Sequence, residues 1–387
     1  MRKVPKLRFK EFSDEWEEKL YKNIFKINQG LQIAINERFL EPAKNRMFYI
    51  TNEFLKKDSK IKYYIENPPL NVICNKDDIL MTRTGNTGEV VTNVEGAFHN
   101  NFFKINYSKE KFNKYFICSL LKSNKIQKTI LKLAGTSTIP DLNHSDFYRI
   151  KSIFPTLEEQ QKIADFLSSV DKKISLTEEK LELFREYKKG VMQKIFSQEL
   201  RFKDSEGNDY PEWEEKRLEE VTECLDNLRK PLNSNEREKI KGNIPYYGAN
   251  GIQGYINNYI FNEELVLLAE DGGNFDDYLT KPIAQYVQGK SWINNHAHVL
   301  KGKKVLKTKF LYFSLVHKDI RSFINGTSRS KLNKSNMLNI IILLPTVEEQ
   351  HKIADFLSSI DSKIESIEKE LERLKEFKKG LLQQMFV

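Results

Sequence analysis

Three short stretches carry residue types that could do chemistry. Asn67-Pro68-Pro69-Leu70 has an Asn and a prolyl carbonyl able to hold the exocyclic amine of a base flipped out of its stack, as methylation of an amino group requires. That chemistry also wants an aromatic ring to stack on the base, and the fourth residue is Leu. No Gly-rich strand-to-helix loop for S-adenosylmethionine lies upstream. A Pro-Pro turn is the better reading. Pro140-Asp141 could open a metal-dependent nuclease motif, but the second carboxylate is missing, because the downstream triplet is Arg149-Ile150-Lys151. His296 and His298, two apart, would project from one face of a strand. No Cys and no third His lies near them to complete a metal site. Neither a phosphate-binding loop nor a nucleophile elbow occurs. A chain of 387 residues without a catalytic constellation reads as a binder or a scaffold.

Composition narrows the class. Hydrophobic residues make up 39% and charged residues 30%, a globular balance with enough chain for two or three domains. Apolar runs such as Ile340 to Leu344 are too short to span a bilayer, and residues 1–9 show no secretory apolar core. Three widely spaced cysteines, Cys74, Cys118 and Cys224, exclude a disulfide scaffold and a cysteine zinc cage and fit a reducing cytoplasm. The net charge of +9 is unevenly placed. Residues 1–196 hold 35 basic and 25 acidic side chains, residues 197–387 hold 28 and 29, and residues 101–157 alone hold ten and three. Such a basic stretch favours a polyanion.

The elements that must position any site come in duplicate. Residues 155–196 recur at 345–386 without a gap, 25 of 42 positions identical. Leu7-Arg-Phe-Lys10 returns as Leu200-Arg-Phe-Lys203, and Glu15-Trp-Glu-Glu-Lys19 as Glu212-Trp-Glu-Glu-Lys216. Gly135-Thr-Ser and Leu142-Asn143 match Gly326-Thr-Ser and Leu332-Asn333. Between these anchors the halves diverge.

The shared segment predicts a long helix. Pro155 and Pro345 mark its boundary, and Thr156 with Glu159, or Thr346 with Glu349, predicts a capping box. Apolar residues at spacings of four and three run from Ile163 to Ile195 and from Ile353 to Met385, broken by Thr177, Lys188 and Lys378. That seam fits an antiparallel coiled coil of about 58 Å, the two helices pairing if the intervening block turns the chain back. Gly190 and Gly380 predict a kink or a close helix approach. The blocks between the helices read as α/β, with strands at Val72-Ile-Cys74, Asp78 to Thr82 and Leu265 to Ala269, and helices over Phe112–Leu133 and Lys309–Ile324. The fold class expected is α+β: two similar globular α/β domains separated by two long helices in a pseudo-two-fold frame. The boundaries expected are 1–154, 155–196, 197–344 and 345–387.

On these residues the chain resembles the specificity (S) subunit of type I restriction-modification enzymes. Phe154-Pro-Thr-Leu-Glu-Glu-Gln-Gln-Lys-Ile-Ala-Asp-Phe-Leu167 and its copy at 344–357 carry the resemblance, with Lys188-Lys-Gly-Val-Met-Gln-Lys-Ile-Phe196, Lys378-Lys-Gly-Leu-Leu-Gln-Gln-Met-Phe386 and the Leu-Arg-Phe and Trp-Glu openings. The resemblance implies two target recognition domains, each reading half of a bipartite asymmetric DNA site. It implies helices that set the unread spacer and dock two methyltransferase (M) subunits, so directing adenine methylation and restriction. It implies no catalysis and no cofactor in this chain: S-adenosylmethionine belongs to the M subunit, and ATP with Mg2+ to the restriction (R) subunit. DNA-mimicking anti-restriction proteins become candidate partners as well.

Candidate DNA contacts can be ranked by chemistry. Arg83 suits guanine and Asn86 suits adenine, both on the turn Thr82-Arg-Thr-Gly-Asn-Thr-Gly88. Thr136, Ser137 and Asn143 in the first block pair with Thr327, Ser328, Arg329 and Asn333 in the second. Asn250 and Gln253 lie in Tyr247-Gly-Ala-Asn-Gly-Ile-Gln-Gly254. Lys122, Lys125, Lys128 and Lys132 line a basic helix and would meet phosphate, or form a solvated face. Two other readings compete. A competent methyltransferase would need the missing cofactor loop, and a pure coiled-coil scaffold would not bind DNA at all.

Overall fold

Buried apolar runs set the strands. Ile79–Thr82 and Leu265–Ala269 are buried at every residue, as a strand covered on both faces must be. The computed structural model describes residues 4–56, 58–135, 138–326 and 330–386. It divides into unit 1, residues 1–178 with 369–387, and unit 2, residues 179–368.

In unit 1, one four-stranded sheet runs in the order Lys26–Gln29, Phe102–Asn106, Ile79–Thr82, Val90–Val91. A second runs Tyr63–Glu66, Arg46–Ile50, Gly96–Phe98, Ile73–Cys74, and Glu17–Leu20 pairs separately with Lys151–Phe154. Unit 2 repeats this topology strand for strand. Its first sheet is Thr222–Cys224, Ala297–Gly302, Leu265–Ala269, Ala284–Val287. Its second is Lys241–Gly248, flanked by Gly251–Ile256 and by Lys290–Ile293, with Phe261–Asn262 at the edge. Even the parallel strand pairing recurs, Arg46–Ile50 with Gly96–Phe98 and Lys241–Gly248 with Lys290–Ile293. The α+β reading with two similar units therefore holds.

The block helices are shorter than the sequence predicts. Phe112–Leu133 is two helices, Lys114–Lys122 and Asn124–Ala134, parted at Ser123, whose backbone is extended. The predicted Lys309–Ile324 helix covers only Thr308–Leu315, followed by a short turn at Arg321–Phe323. Asp319 Oδ1 accepts the Arg321 amide at 3.1 Å, a local bond that competes with helix continuation.

The long helices are Leu157–Phe196 and Val347–Met385, uninterrupted. All twenty seam positions, the three polar ones included, are buried or half-buried. In unit 1 Lys173 and Lys375 reach Glu370 and Glu178 at 3.5 and 2.6 Å. In unit 2 Arg185 reaches Glu368 at 2.7 Å and Lys188 reaches Asp361 at 2.5 Å. From Asp171–Lys378 to Glu178–Lys375 in unit 1, and from Arg185–Glu368 to Lys188–Asp361 in unit 2, one residue number rises as its partner's falls, so the pairing is antiparallel within each unit. The seam lysines are each matched by an aspartate, Lys378 by Asp171 and Lys188 by Asp361.

Two expectations fail here. The capping box is only half formed. Thr156 and Thr346 accept the Glu159 and Glu349 amides at 3.4 and 3.3 Å, but the glutamate side chains turn to arginines instead. Arg8 donates twice to Glu159, both at 2.8 Å, and Arg201 donates to Glu349 at 3.3 and 3.0 Å. The duplicated Leu-Arg-Phe openings thus fasten the duplicated helix starts. Gly190 and Gly380 make no close helix approach, because a Cβ at either would meet nothing within 4 Å. Gly190→Ala and Gly380→Ala should each stabilise the isolated chain by about 1 kcal/mol, read as a rise in the urea midpoint; a fall at both would show that the helix is strained there.

Each unit's core draws on both long helices. Unit 1 packs Trp16, Phe103, Phe116, Phe147 and Phe154 with Ile163 and Leu167 and with Leu381, Met385 and Phe386. Unit 2 packs Trp213, Phe310 and Ile342 with Val191, Met192 and Ile195 and with Ile353 and Leu357.

Candidate nucleic-acid interface

The buried central strand of each unit ends in a turn, and polar side chains from several loops converge on it. In unit 1 this turn is Arg83–Gly88. Thr82 Oγ1 donates to Asn86 O, and Thr87 Oγ1 donates to Pro140 O at 2.6 Å, tying the turn to the loop that follows Gly135. Gly85 sits at φ +85, and a Cβ there would come within 2.3 Å of Asn52 Nδ2, which donates to Thr84 O at 3.2 Å. The turn therefore needs glycine for its conformation, and a Cβ there would also push the Asn52 amide aside.

Arg83 is not a free reader. Its Nε and Nη2 donate to the two Asp141 oxygens at 2.9 and 2.6 Å, a bidentate pair. Asp141, set aside above as half a nuclease motif, is this partner. Asn86 is exposed, and its side chain has no hydrogen-bond partner among the described residues. Around them lie amides the sequence did not single out. Gln29 donates to Asn100 O at 2.6 Å and Asn100 donates to Gln32 Oε1 at 2.9 Å. The buried Oδ1 atoms of Asn52 and Asn100 find no donor. Burial first, then the nearby Arg83 charge, pushes the His144 imidazole below its usual range.

Asn143 is a helix cap. Its Oδ1 accepts the Asp146 amide at 2.9 Å and the Ser145 hydroxyl at 2.6 Å, starting the helix His144–Tyr148. Asn333 holds the same place before Lys334–Leu338, but its side chain makes no capping bond. Asn143→Ala should therefore cost about 1 kcal/mol and Asn333→Ala far less, measured as separate melting shifts. Equal shifts would contradict the assignment. Thr136, Ser137, Thr327, Ser328 and Arg329 lie outside the described residues.

Unit 2 builds the equivalent surface from different chemistry. Asn250 Nδ2 donates to Gly272 O at 2.7 Å. Gln253 Oε1 accepts from Asn294 at 3.1 Å, and its side chain lies where a Gly248 Cβ would be. Beneath them is an ion network that the sequence did not reveal. His298, 1% exposed, bonds Asp226 at 2.6 Å through Nδ1 and Leu332 O at 2.8 Å through Nε2. Arg229 and Lys331 reach Glu270 at 2.7 and 3.2 Å. Burial pushes the Asp226 and Glu270 carboxyls up. The hydrogen bonds from His298 to Asp226 and from Arg229 to Glu270, with the surrounding positive charge, outweigh it and hold both below the usual range. His296 bonds Asp271 at 2.7 Å. Asp226, Glu270 and His298 offer ligand atoms within 4.8 Å of one another. Arg229 and Lys331 already balance their charge and Leu332 O occupies Nε2, so the donor set fits an ion network better than a metal centre.

The predicted basic helix is real and lies against the unit 1 turn, where Gln127 Nε2 donates to Gly88 O at 2.9 Å. Asn124–Ala134 buries Ile126, Ile130 and Ala134 and exposes Lys125, Lys128 and Lys132. Lys122 is exposed at the end of the preceding helix. None of the four has an ion-pair partner among the described residues, and residues 111–140 contain no Asp or Glu. Asn67, at φ +44, starts a turn that leaves Leu70 87% exposed, which is no pocket for a base.

The family model of the type I restriction modification DNA specificity domain matches twice, over residues 13–183 and 210–376. The chain belongs to this family. It is 27% identical over 365 residues to the type I restriction enzyme MjaVIII specificity subunit of Methanocaldococcus jannaschii, covering 86% of this chain and 84% of that one. A putative specificity subunit of Haemophilus influenzae is 41% identical over 150 residues, a match spanning 38% of this chain and 37% of the relative's length. The crystal structure of the S subunit of the type I system of M. genitalium superposes with a TM-score of 0.63 at 20% identity, over 99% of both chains. That likeness concerns the fold. As a type I specificity subunit, the chain has two DNA recognition domains, one for each match. Among the described residues no helix is long and apolar enough to cross a membrane.

Proposed function

We propose that each unit reads one half of a bipartite, asymmetric DNA site. The paired helices set the unread spacer and dock two methyltransferase subunits, and the complex so assembled directs adenine methylation and, with restriction subunits, cleavage. The recognition blocks would be residues 1–154 and 197–344, and the helices 155–196 and 345–387. The observation that carries the reading is one topology built twice, with chemically different loop clusters at the equivalent strand end. Identical readers would recognise identical half-sites; unlike loops call for unlike halves. Amides and Arg are the side chains that read base edges, while unpaired lysines suit phosphates. The chain itself would contribute no reacting group. S-adenosylmethionine would act in the methyltransferase subunit, ATP and Mg2+ in the restriction subunit, and the whole in the cytoplasm. DNA-mimicking inhibitors would compete for the same surface.

Long-read mapping of modified bases, in cells expressing the chain with its methyltransferase partner, tests this. The expected result is N6-methyladenine in one gapped motif with unlike halves. An active complex that leaves no methylated motif would overturn the reading.

A further inference from the structure

The clasp that closes the turn after the central strand is built twice, with its charges reversed. In unit 1 the Leu142 amide donates to Arg83 O at 2.8 Å; in unit 2 the Leu332 amide donates to Glu270 O at 2.7 Å. The adjoining bridges are Thr84 with Asp141 and Asp271 with Lys331. This register makes Arg83 equivalent to Glu270, and Asp141 equivalent to Lys331. Each equivalent pair is an ion pair, Arg83 with Asp141 at 2.6 Å and Lys331 with Glu270 at 3.2 Å.

The inner and outer members also correspond. Arg83 and Glu270 are the covered ones, at 26% and 17% side-chain exposure, while Asp141 and Lys331 stand outward at 47% and 49%. The outward group is thus a carboxylate in unit 1 and an ammonium in unit 2. A simple fastener needs only opposite charges, so either polarity serves. What the reversal changes is the hydrogen-bond character shown to the outside: an ionised carboxylate only accepts, an ammonium only donates. Each Asp141 oxygen takes one N–H from Arg83 and keeps lone pairs free. Lys331 gives one proton to Glu270 and keeps two. A half-exposed carboxylate is repelled by phosphates, and so is disfavoured on a DNA-facing turn unless a donor meets it there. In the major groove those donors are the N4 amine of cytosine and the N6 amine of adenine, while guanine offers the N7 and O6 acceptors.

We infer that Asp141 and Lys331 are specificity-determining residues at equivalent places in the two half-sites, Asp141 accepting from the exocyclic amine of a cytosine or adenine and Lys331 donating to a guanine. Arg83 and Glu270 are then positioning residues that hold the readers in place. The inference rests on the proposal that the two units read the two halves.

Methylation mapping separates the two. The variants are Asp141→Asn, Lys331→Gln and the reversal Arg83→Glu with Asp141→Lys, each expressed with the methyltransferase partner. Asp141→Asn should relax one position in one half only, raising methylation of sites with another base there by about ten-fold or more. Lys331→Gln should relax one position in the other half, and the reversal should move the first position toward guanine. If the wild type gives no gapped motif, the underlying reading fails. If the wild type gives one and the variants keep it with unchanged selectivity, the ion pairs are fasteners and the inference falls. Should Asp141→Asn abolish methylation altogether, Lys331→Gln decides through the other half, because Glu270 keeps its bond to Arg229 at 2.7 Å.

Discussion

Replacing Arg8 by Met should lower the stability of unit 1 by about 3–5 kcal/mol, and Arg201→Met should lower that of unit 2 by about 1 kcal/mol less. Glu159 is 1% exposed and Glu349 is fully buried. A buried carboxylate that loses its guanidinium keeps the desolvation cost without the attraction that offset it. The two sites differ in what remains. Arg8 supplies both side-chain donors to Glu159, and the Trp16 indole N–H has no partner. In unit 2 the Trp213 indole also donates to Glu349, at 3.0 Å, and survives the loss of Arg201. Urea unfolding followed by tryptophan fluorescence measures both. Adding Glu159→Gln to Arg8→Met should recover part of the loss, since a neutral amide is cheaper to leave buried. Losses under 1 kcal/mol in both single variants would mean that water reaches these carboxylates.

This fastening explains why some motifs are legible in the sequence and others are not. The helix seam was readable to the residue, because a period of 3.5 leaves its mark on every turn. Its lysines looked like defects, and only the structure supplies Asp171 and Asp361 as their partners. The duplicated Leu-Arg-Phe and Pro-Thr-x-Glu-Glu-Gln motifs were visible as repeats, but their purpose was not, since Arg8 and Glu159 meet across about 150 residues of chain. Gln160 and Gln350 are similar: each donates to a prolyl carbonyl beside it and to a backbone carbonyl far upstream, Lys111 at 3.2 Å and Val305 at 2.9 Å.

The candidate site divides the same way. Arg83, Asn86, Asn250 and Gln253 stand out as candidates in the sequence because glycines bracket their turns. Asn143, a candidate DNA contact by its residue type, also caps a helix, and Asn143-His-Ser-Asp146 carries the spacing of a cap, an Asn followed three residues on by an acid. The Arg83–Asp141 pair of unit 1, and the Asp226, Glu270, His298 and Lys331 network of unit 2, could not be found, because their bonds run between segments far apart in sequence. The strand order was equally hidden. The blocks diverge between their anchors, yet the same register returns in both, so the topology depends on where apolar residues fall more than on which they are.

Changing Lys125, Lys128 and Lys132 together to Gln should weaken DNA binding by the complex about 500-fold at 0.1 M salt and flatten the salt slope by about 2.7, since each phosphate contact contributes about 0.9. The three side chains follow one face of Asn124–Ala134, opposite the buried Ile126 and Ile130, so their loss leaves the core intact. Because phosphate contacts carry register and not sequence, the methylated motif should stay the same while its occupancy falls. That outcome distinguishes these lysines from Asp141, whose replacement should alter the motif and leave the salt slope nearly unchanged. Titrations of labelled duplex between 50 and 200 mM salt, with the methyltransferase partner bound, give both quantities. An unchanged slope would make the basic face of this helix a solvated surface, and the net positive charge of residues 101–157 would then serve something other than DNA.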